Sequence, residues 1–219
     1  MIYWFLTITY IQAGIEPNVG TYNTLLYWYG NTSRLKEALD LFEVMKEKGI
    51  APDDMTFVSL LRACSHGHDS NRALQIFKSI PSYGIKYNDY HYVCLIDALG
   101  RDNRLLEAEQ VIKQNPHPTR IMYMTLLGSC RLHSHVALGE KIARQLIADN
   151  PTDAVPYVLL SNIYASKGQF DKADKIRKEM EDVGAKRIPG ESWVIVDNEK
   201  HTFVVSDPIL FRDPKVDIF

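Results

Sequence analysis

Apolar residues recur along this chain at the spacing of amphipathic helices. Between residues 20 and 30 the i, i+3, i+4, i+7 spacing of one buried helical face is carried by Tyr22, Leu25, Leu26 and Tyr29. A second helical segment follows a polar turn in which Ser33 is a candidate cap. That segment ends at Gly49, and Pro52 prevents its continuation. The pattern predicts two short helices joined by a turn.

The same pattern returns with a period of about 35 residues, which indicates an array of stacked units. A single helix pair would expose one apolar side, and stacking buries that side against the next pair. The sequence therefore predicts an all-α fold, a right-handed superhelical solenoid of helix-turn-helix repeats. We place the units at 19–53, 54–88, 89–119, 120–153 and 154–187, with residues 1–18 as the second helix of a partial repeat.

The pattern changes after Pro189-Gly190, where β-branched and aromatic residues replace helical spacing. Two such runs, 192–196 and 201–205, flank a turn-forming segment, so a β-hairpin is predicted within 188–207. Residues 208–219 contain two prolines and several charges and are expected to form an extended tail.

Composition excludes several classes of function. A net charge of −2, from 25 basic and 27 acidic residues, argues against a surface that is basic overall but leaves room for a local basic stripe. The three cysteines form no C-x-x-C pair, so a thiolate zinc site is not expected. The apolar start, residues 1–11, is too short to span a membrane and lacks a basic flank, so no membrane partner is expected.

No catalytic or metal-ligating residues are assigned. His66-Gly67-His68 and His133-Ser134-His135 fall in the turns between paired helices, with no cysteine cluster nearby, and are interpreted as solvated turn residues. The signatures of phosphate-binding loops, serine hydrolases and zinc peptidases do not occur.

Five phrases in order give the chain a resemblance to a known family: Leu61–His66, His91–Arg101, Leu126–His133, Tyr157–Tyr164 and Pro189–Val194. They resemble pentatricopeptide repeat (PPR) proteins of the PLS class, the organellar RNA editing factors of plants. By this resemblance 19–119 contains three PPR repeats and 120–187 contains two E-type repeats similar to tetratricopeptide units. Residues 188–207 resemble the proline-glycine box that opens the DYW deaminase domain.

The resemblance implies single-stranded RNA as the partner, with one base read per repeat by the fifth and last residues of the unit. The implied RNA-binding residues are Asn23 and Asp53 in the first unit, Val58 and Asn88 in the second, and Val93 and Thr119 in the third. In the family an asparagine-aspartate pair favours uridine, whereas valine offers a base only apolar packing. The alternative interpretation of Asn23 is a helix N-terminal cap.

The family's chemistry is zinc-dependent deamination of cytidine to uridine, which needs an H-x-E and a C-x-x-C motif. Neither occurs here, so this chain is not expected to deaminate by itself or to hold a cofactor. Zinc is implied only for a DYW domain supplied elsewhere. Editing co-factors or a deaminase in trans would then dock through 120–207. The resemblance implies a mitochondrial or chloroplast location, although no transit peptide is visible.

The leading hypothesis is a sequence-selective RNA-binding array, resembling an editing specificity factor without its own catalytic domain. Two alternatives remain. One is a protein–protein scaffold of the tetratricopeptide kind, favoured by the near-neutral charge and by units four and five. The other is a fragment of a DYW-type cytidine deaminase editing factor.

Overall fold

Ten α-helices occupy residues 16–185 in the computed structural model, which describes residues 16–185, 191–196 and 199–204. The first helices of five successive pairs are α1 (Val19–Asn31), α3 (Asp54–His66), α5 (Asp89–Arg101), α7 (Arg120–Leu132) and α9 (Ala154–Ser166). Their partners are α2 (Leu35–Glu47), α4 (Ser70–Ser79), α6 (Leu105–Gln114), α8 (Val136–Asp149) and α10 (Phe170–Asp182). A short 3-10 turn, Ile80–Tyr83, extends α4. The predicted all-helical array of these residues is confirmed.

The first helices of units one to three begin at reciprocal capping boxes. In each, the side-chain oxygen of the residue before the helix accepts a bond from the backbone N–H three residues on, and the side chain of that third residue accepts a bond from the backbone N–H of the capping residue. The pairs are Asn18–Thr21, Asp53–Thr56 and Asn88–His91. Each cap is thus also the residue that ends the preceding unit. Asn23 lies inside α1, so its interpretation as a cap was wrong.

The turn within each pair contains one residue in the left-handed region. These residues are Ser33, His68, Asn103 and Ser134, with φ between 52° and 60°, and Gly168 with φ 70°. Ser33 was expected to cap α2, but its left-handed backbone belongs to the turn, and Arg34 precedes the helix without a side-chain capping bond. Short polar residues and glycine tolerate this conformation, which lets the chain reverse within a few residues.

The first helices form one layer, because each packs on the first helix of the next unit, from α1 through to α9. The second helices lie against this layer, each contacting the first helix of its own unit and, for α2, α4, α6 and α8, that of the next. Large side chains such as Leu26, Phe57, Ile96 and Tyr157 are fully buried between the layers. The closest approach involves Gly100 of α5, which faces Ser129 of α7.

Unit three reaches unit four through a shorter connection than the earlier units use. Asn115, only 8% exposed, ends α6 and accepts a bond from the His117 backbone N–H at 2.8 Å. Its amide also contacts the Met122 sulfur at 3.6 Å. The segment with two prolines is therefore a compact polar turn, which still places α7 beside α5.

Beyond the helices, β1 (Glu191–Val196) and β2 (Glu199–Val204) pair antiparallel, with Glu191 opposite Val204 and Val196 opposite Glu199. The predictions for residues 1–15, for Pro189-Gly190, for the hairpin turn at 197–198 and for the tail lie outside the described residues. No helix in the described part of the chain is long and apolar enough to cross a membrane.

Candidate nucleic-acid interface

A continuous accessible strip runs along the layer of first helices. It consists of the fifth, ninth and thirteenth residues of each unit, which share one helix face because they lie four residues apart. From unit one to unit five these are Asn23, Tyr27 and Asn31; Val58, Arg62 and His66; Val93, Asp97 and Arg101; Met124, Gly128 and Leu132; and Val158, Asn162 and Ser166. Each of them is half-buried or exposed. We call this set the first-helix strip.

In unit one the two predicted RNA-binding residues are hydrogen-bonded to each other. Asn23 Nδ2 donates to Asp53 Oδ1 at 2.9 Å, which links the first helix of unit one to the last residue of that unit. The Thr56 backbone N–H donates to the same oxygen at 2.9 Å, and the Thr56 hydroxyl donates to Asn23 Oδ1 at 2.7 Å. The bonds from the Asn23 amide and the Thr56 backbone N–H converge on Asp53 Oδ1, and the Thr56 hydroxyl also lies 3.0 Å from that oxygen. None of these bonds uses Oδ2.

Asp53 is held in its ionised form. Partial burial alone would raise the pKa of this carboxyl, but the hydrogen bonds from Thr56 and Asn23 outweigh burial and hold the pKa below its usual value of 3.8. Both side chains are half-buried, so they are ordered yet still reachable. The pair can offer one amide N–H donor beside one carboxylate acceptor.

Unit two presents a different pair. Asn88 Oδ1 accepts from the His91 backbone N–H at 3.1 Å, so its amino group is the part of the side chain left for other contacts. His91 Nδ1 accepts from the Asn88 backbone N–H at 3.2 Å, and Nε2 lies 3.1 Å from the Asp54 carbonyl. That geometry assigns the proton to Nε2, since Nδ1 must be an acceptor. Val58 brings only apolar surface, and no side-chain bond joins it to Asn88.

Unit three brings together no polar pair. Val93 packs partly against the core, and Thr119 stands immediately before α7 without making a side-chain capping bond. The Thr119 hydroxyl is enclosed and has no hydrogen-bond partner in the described part of the chain. An enclosed hydroxyl cannot contact a base, so Thr119 is poorly placed for the role that the sequence suggested.

Unit four has the same carboxylate in a different state. Asp153 precedes α9 as Asp53 precedes α3, and its Oδ1 accepts from the Val155 backbone N–H at 2.9 Å. Its Oδ2 is bound by the Arg120 guanidinium at 2.5 Å, and Arg120 also donates to the Leu146 carbonyl at 3.1 Å. Both oxygens of Asp153 are occupied. The fifth residue of this unit is Met124, which has no donor.

Sequence reasoning missed a row of exposed apolar residues at the second position of the units. Met55, Tyr90, Ile121 and Val155 are between 48% and 68% exposed and lie beside the caps. Large apolar side chains in water at a repeated position indicate contact with a flat or apolar partner. The available signal was their recurrence two residues after each cap, out of phase with the buried positions.

The middle of the first-helix strip carries positive charge. Arg62 and Arg101 lie on neighbouring helices, and Asp97 between them is already bound by Arg101 at 3.0 Å and by the Ser65 hydroxyl at 2.5 Å. The pKa of His66 is lowered from 6.5, chiefly by burial and next by the nearby Arg101. A neutral His66 leaves the two arginines as the cations of this region.

The histidine turns show no metal geometry. No group of three or more ligating side chains occurs within the described residues. His133 Nε2 lies 2.8 Å from the Gly100 carbonyl, and His135 Nδ1 accepts from the Leu138 backbone N–H at 3.3 Å. Burial raises the pKa of the Cys64 and Cys130 thiols to about 12, so both stay protonated and serve as packing groups.

Family models match most of the helical array. A model of the PPR repeat family matches residues 17–66, and a model of the single PPR repeat matches 55–85 and 90–114. The E motif model matches residues 133–195. The chain contains pentatricopeptide repeats and an E motif. The predicted resemblance to PPR proteins is confirmed to that extent.

The relatives of the chain are longer plant proteins. A PPR-containing protein of Arabidopsis thaliana is 36% identical over 199 residues, which cover 91% of this chain and 27% of that protein. A putative chloroplastic PPR-containing protein of Arabidopsis thaliana is 44% identical over 108 residues, which cover 49% of this chain and 20% of that protein. A mitochondrial PPR-containing protein of the same plant is 41% identical over 116 residues, which cover 52% of this chain and 11% of that protein. The chain thus spans 11% to 27% of these relatives.

Solved structures share the fold. The crystal structure of PPR10 from maize matches with a TM-score of 0.75 at 21% identity, over 84% of this chain and 26% of that one. PPR10 in complex with an 18-nt psaJ RNA element matches with a TM-score of 0.73 at 22% identity, over 84% and 28%. At this identity the likeness concerns the fold, which is a PPR solenoid as predicted.

Proposed function

We propose that this PPR array binds single-stranded RNA sequence-selectively along the first-helix strip and the caps beside it. The observation that carries the proposal is the Asn23–Asp53 pair, in which a side-chain amide and a carboxylate are fixed together and remain reachable. The bond joins residues 30 positions apart, so it holds the two side chains in a fixed arrangement. The likeness to an RNA-bound PPR solenoid supports the same assignment.

The chemistry of this pair favours uridine. Uracil presents a carbonyl acceptor beside its N3–H donor, and the protein offers the Asn23 amide N–H beside Asp53 Oδ2. Cytosine presents an unprotonated N3 there, which the carboxylate would repel. Guanine has the same acceptor–donor order on a larger ring, so a test must include it.

Units two and three contribute less discrimination. Because Asn88 Oδ1 is used by its cap, the unit presents an amino donor, which suits a base with an acceptor at the matching position. Val58 and Val93 add apolar packing without hydrogen-bond choice. The exposed Met55 and Tyr90 are positioned to contact the faces of bases in a sequence-tolerant way.

Within the cell, the proposed role is that of an organellar C-to-U editing specificity factor of the PLS class. The E motif match over 133–195 and the proline-glycine phrase at 189–190 support this role. We propose that the paired strands β1 and β2 belong to the box that opens a DYW domain. Deamination would be supplied in trans, by a zinc-containing domain recruited through 120–207. The mitochondrial and chloroplastic relatives support an organellar location.

A second function is favoured for units four and five by their ion pairs. Arg120 neutralises Asp153, and Arg144 binds both Glu179 oxygens at 2.6 and 2.8 Å across α8 and α10. These contacts fix the two units rigidly and leave no reading pair. We propose that this part is a protein-binding scaffold rather than an RNA reader.

Selection of bound RNA from a random single-stranded pool tests the proposal. We expect enrichment of uridine at one fixed position, and loss of that enrichment when Asn23 and Asp53 are both changed to alanine. A matched control is Arg72→Gln on α4, an exposed residue that bonds only Gln75 and should leave the selected sequence unchanged. Undetectable binding at low salt would overturn the proposal and favour the scaffold alternative for the whole chain.

A further inference from the structure

Arg62 is an unsatisfied cation in the first-helix strip. It lies on α3, half-buried; its Nε is enclosed without a hydrogen-bond partner, so an outside ligand can reach this side chain only at the terminal guanidinium nitrogens. Its guanidinium carbon stands 5.3 Å from the centre of the Tyr27 ring on α1. Stacking of this kind fixes the guanidinium plane while leaving its edge free to donate.

Six other arginines of the array contrast with Arg62, and the two that also lack an ion pair among the described residues, Arg72 and Arg131, are exposed to solvent. Acidic partners within 4 Å are found for Arg34, Arg101, Arg104, Arg120, Arg144 and Arg177. Within the described part of the chain Arg62 forms no ion pair, and the strip's one acidic side chain, Asp97, is held by Arg101 and Ser65. A half-buried charge without a counter-charge is costly unless an anion binds it.

The position of the stacked pair identifies that anion. Tyr27 lies one helical turn after Asn23, and Arg62 lies one turn after Val58, so the pair stands directly beside the fifth positions of units one and two. A strand that places one base at each of these positions must pass the phosphate between them along the same face. Arginine is the residue best suited to bind phosphate oxygens.

We propose that Arg62, stacked on Tyr27, binds the phosphodiester that links the nucleotides held by units one and two. This inference rests on the proposed RNA binding and adds a positioning contact to it. Such a contact fixes the register of the strand and reads no base. Tyr27, 46% exposed, supports the guanidinium from one side, with the guanidinium carbon 5.3 Å from the ring centre.

The salt dependence of binding distinguishes a phosphate contact from a base contact. Each phosphate neutralised on a single strand contributes about 0.7 to the slope of log K against log salt. Arg62→Gln should reduce that slope by about 0.7 and weaken every sequence about tenfold at moderate salt. Asn23→Ala should instead reduce the preference for uridine with the slope unchanged. Arg72→Gln, the same charge change on α4 of the same unit, should alter neither.

A modified RNA provides a test that does not depend on the stability of the variant. One methylphosphonate linkage, which is uncharged, is moved along an oligonucleotide that the wild-type protein binds. When the methylphosphonate lies between the bases held by units one and two, it should weaken RNA binding by wild type about tenfold. At the same place it should not weaken binding by Arg62→Gln any further. Arg62→Lys should keep the salt slope but bind more weakly, because lysine loses the stacking.

The outcomes separate this inference from the proposed function. If RNA binds with a uridine preference but Arg62→Gln leaves the slope and the methylphosphonate pattern unchanged, the phosphate contact is wrong and RNA reading stands. Absence of RNA binding would remove both. Inorganic phosphate alone could stabilise wild type but not Arg62→Gln while the salt slope of RNA binding is the same for both proteins. That result would assign the site to a free anion and overturn the inference.

Discussion

Asp53 and Asp153 stand at the same place in units one and four, yet they differ in what they leave available. Each carboxylate precedes a first helix and accepts a backbone N–H of that helix with Oδ1. At Asp53 the Asn23 amide and the Thr56 hydroxyl contact the same Oδ1, whereas at Asp153 the Arg120 guanidinium occupies Oδ2. One carboxylate can still bind a ligand and the other cannot.

The difference shows that residue identity at a repeat position does not define its function. What decides is whether the first helix of the same unit supplies a neutral amide or a cation. An amide orders the carboxylate without neutralising it, so the carboxylate can still bind a ligand. A guanidinium occupies the carboxylate oxygen and also neutralises the negative charge. The same solenoid can therefore carry a reading surface in its first units and a closed, rigid surface in its last.

The two regions meet where α5 packs on α7, and the largest effect is expected there. A Cβ added at Gly100 would lie 2.0 Å from Ser129 Oγ and 2.6 Å from its Cβ, so Gly100→Ala should destabilise the array by about 3 kcal/mol. Thermal unfolding measures this loss, and adding Ser129→Gly should restore much of it. The control, Gly128→Ala, adds a Cβ that meets nothing within 4 Å and should stabilise by about 0.5–1 kcal/mol. Equal effects of the two substitutions would contradict this packing.

Removal of the cation in unit four should produce an intermediate effect. Arg120→Gln removes the guanidinium bonds to the partly buried Asp153 Oδ2 and to the Leu146 carbonyl, and should lower the free energy of unfolding by about 1–2 kcal/mol. Arg177→Gln removes an exposed pair with Asp174 and should cost less than about 0.5 kcal/mol. Urea unfolding of both variants checks the difference. A cost for Arg120→Gln no larger than the control would mean that Asp153 is not closed by this pair.

Acidification should loosen the reading region before the last two units. Burial is the main cause of the lowered pKa of His91, and its contact with the Asp54 carbonyl opposes that only in part. Since the pKa in the folded state lies below the usual 6.5, the unfolded chain binds the proton more readily. The stability that His91 contributes is complete above about pH 6.5 and is lost as the pH falls toward the lower folded value.

Hydrogen exchange at the start of α5 and of α9 measures this effect locally. Protection at the start of α5 should fall between pH 7.5 and 5.5 after correction for intrinsic exchange, whereas α9, capped by Asp153, should change little. His91→Gln should flatten the response at α5, because glutamine serves well at the third position of a capping box. The remaining slope in overall stability would come from His66, whose pKa is also lowered. A response at α5 that survives in His91→Gln would exclude His91 as its source.

Helix pairing was predictable from sequence because apolar spacing and caps are local signals. The buried face of α1 follows from spacing alone, whereas Asp53 and Asn88 were assigned only as RNA-binding residues and their capping role was not predicted. Ser33 was misassigned because serine favours caps and turns alike, and the choice depends on the backbone conformation that the turn requires.

The hydrogen-bond partners of the candidate site residues could not be predicted, because they depend on distances between residues far apart in the sequence. The bond from Asn23 to Asp53 and the closure of Asp153 by Arg120 both join residues at least 30 positions apart, whose separation is set by how the helices stack. Sequence likewise gave no sign that Thr119 Oγ1 is enclosed. From residue type alone Met55 and Tyr90 resemble core residues, and only the structure shows that both side chains are exposed.

Replacing Asp53 by asparagine is the most direct test of whether the Asn23–Asp53 pair selects uridine. The asparagine keeps an oxygen for the cap, as Asn88 does, and places an amino donor where Oδ2 now accepts. Binding is measured to oligonucleotides that differ only in the base facing unit one. We expect wild type to prefer uridine. We expect Asp53→Asn to shift the preference toward cytidine, because N3 of cytosine is an acceptor, and to keep the overall RNA affinity within a few-fold. A folded Asp53→Asn protein that still prefers uridine, or a wild type that does not distinguish the bases, would contradict uridine selection by this pair.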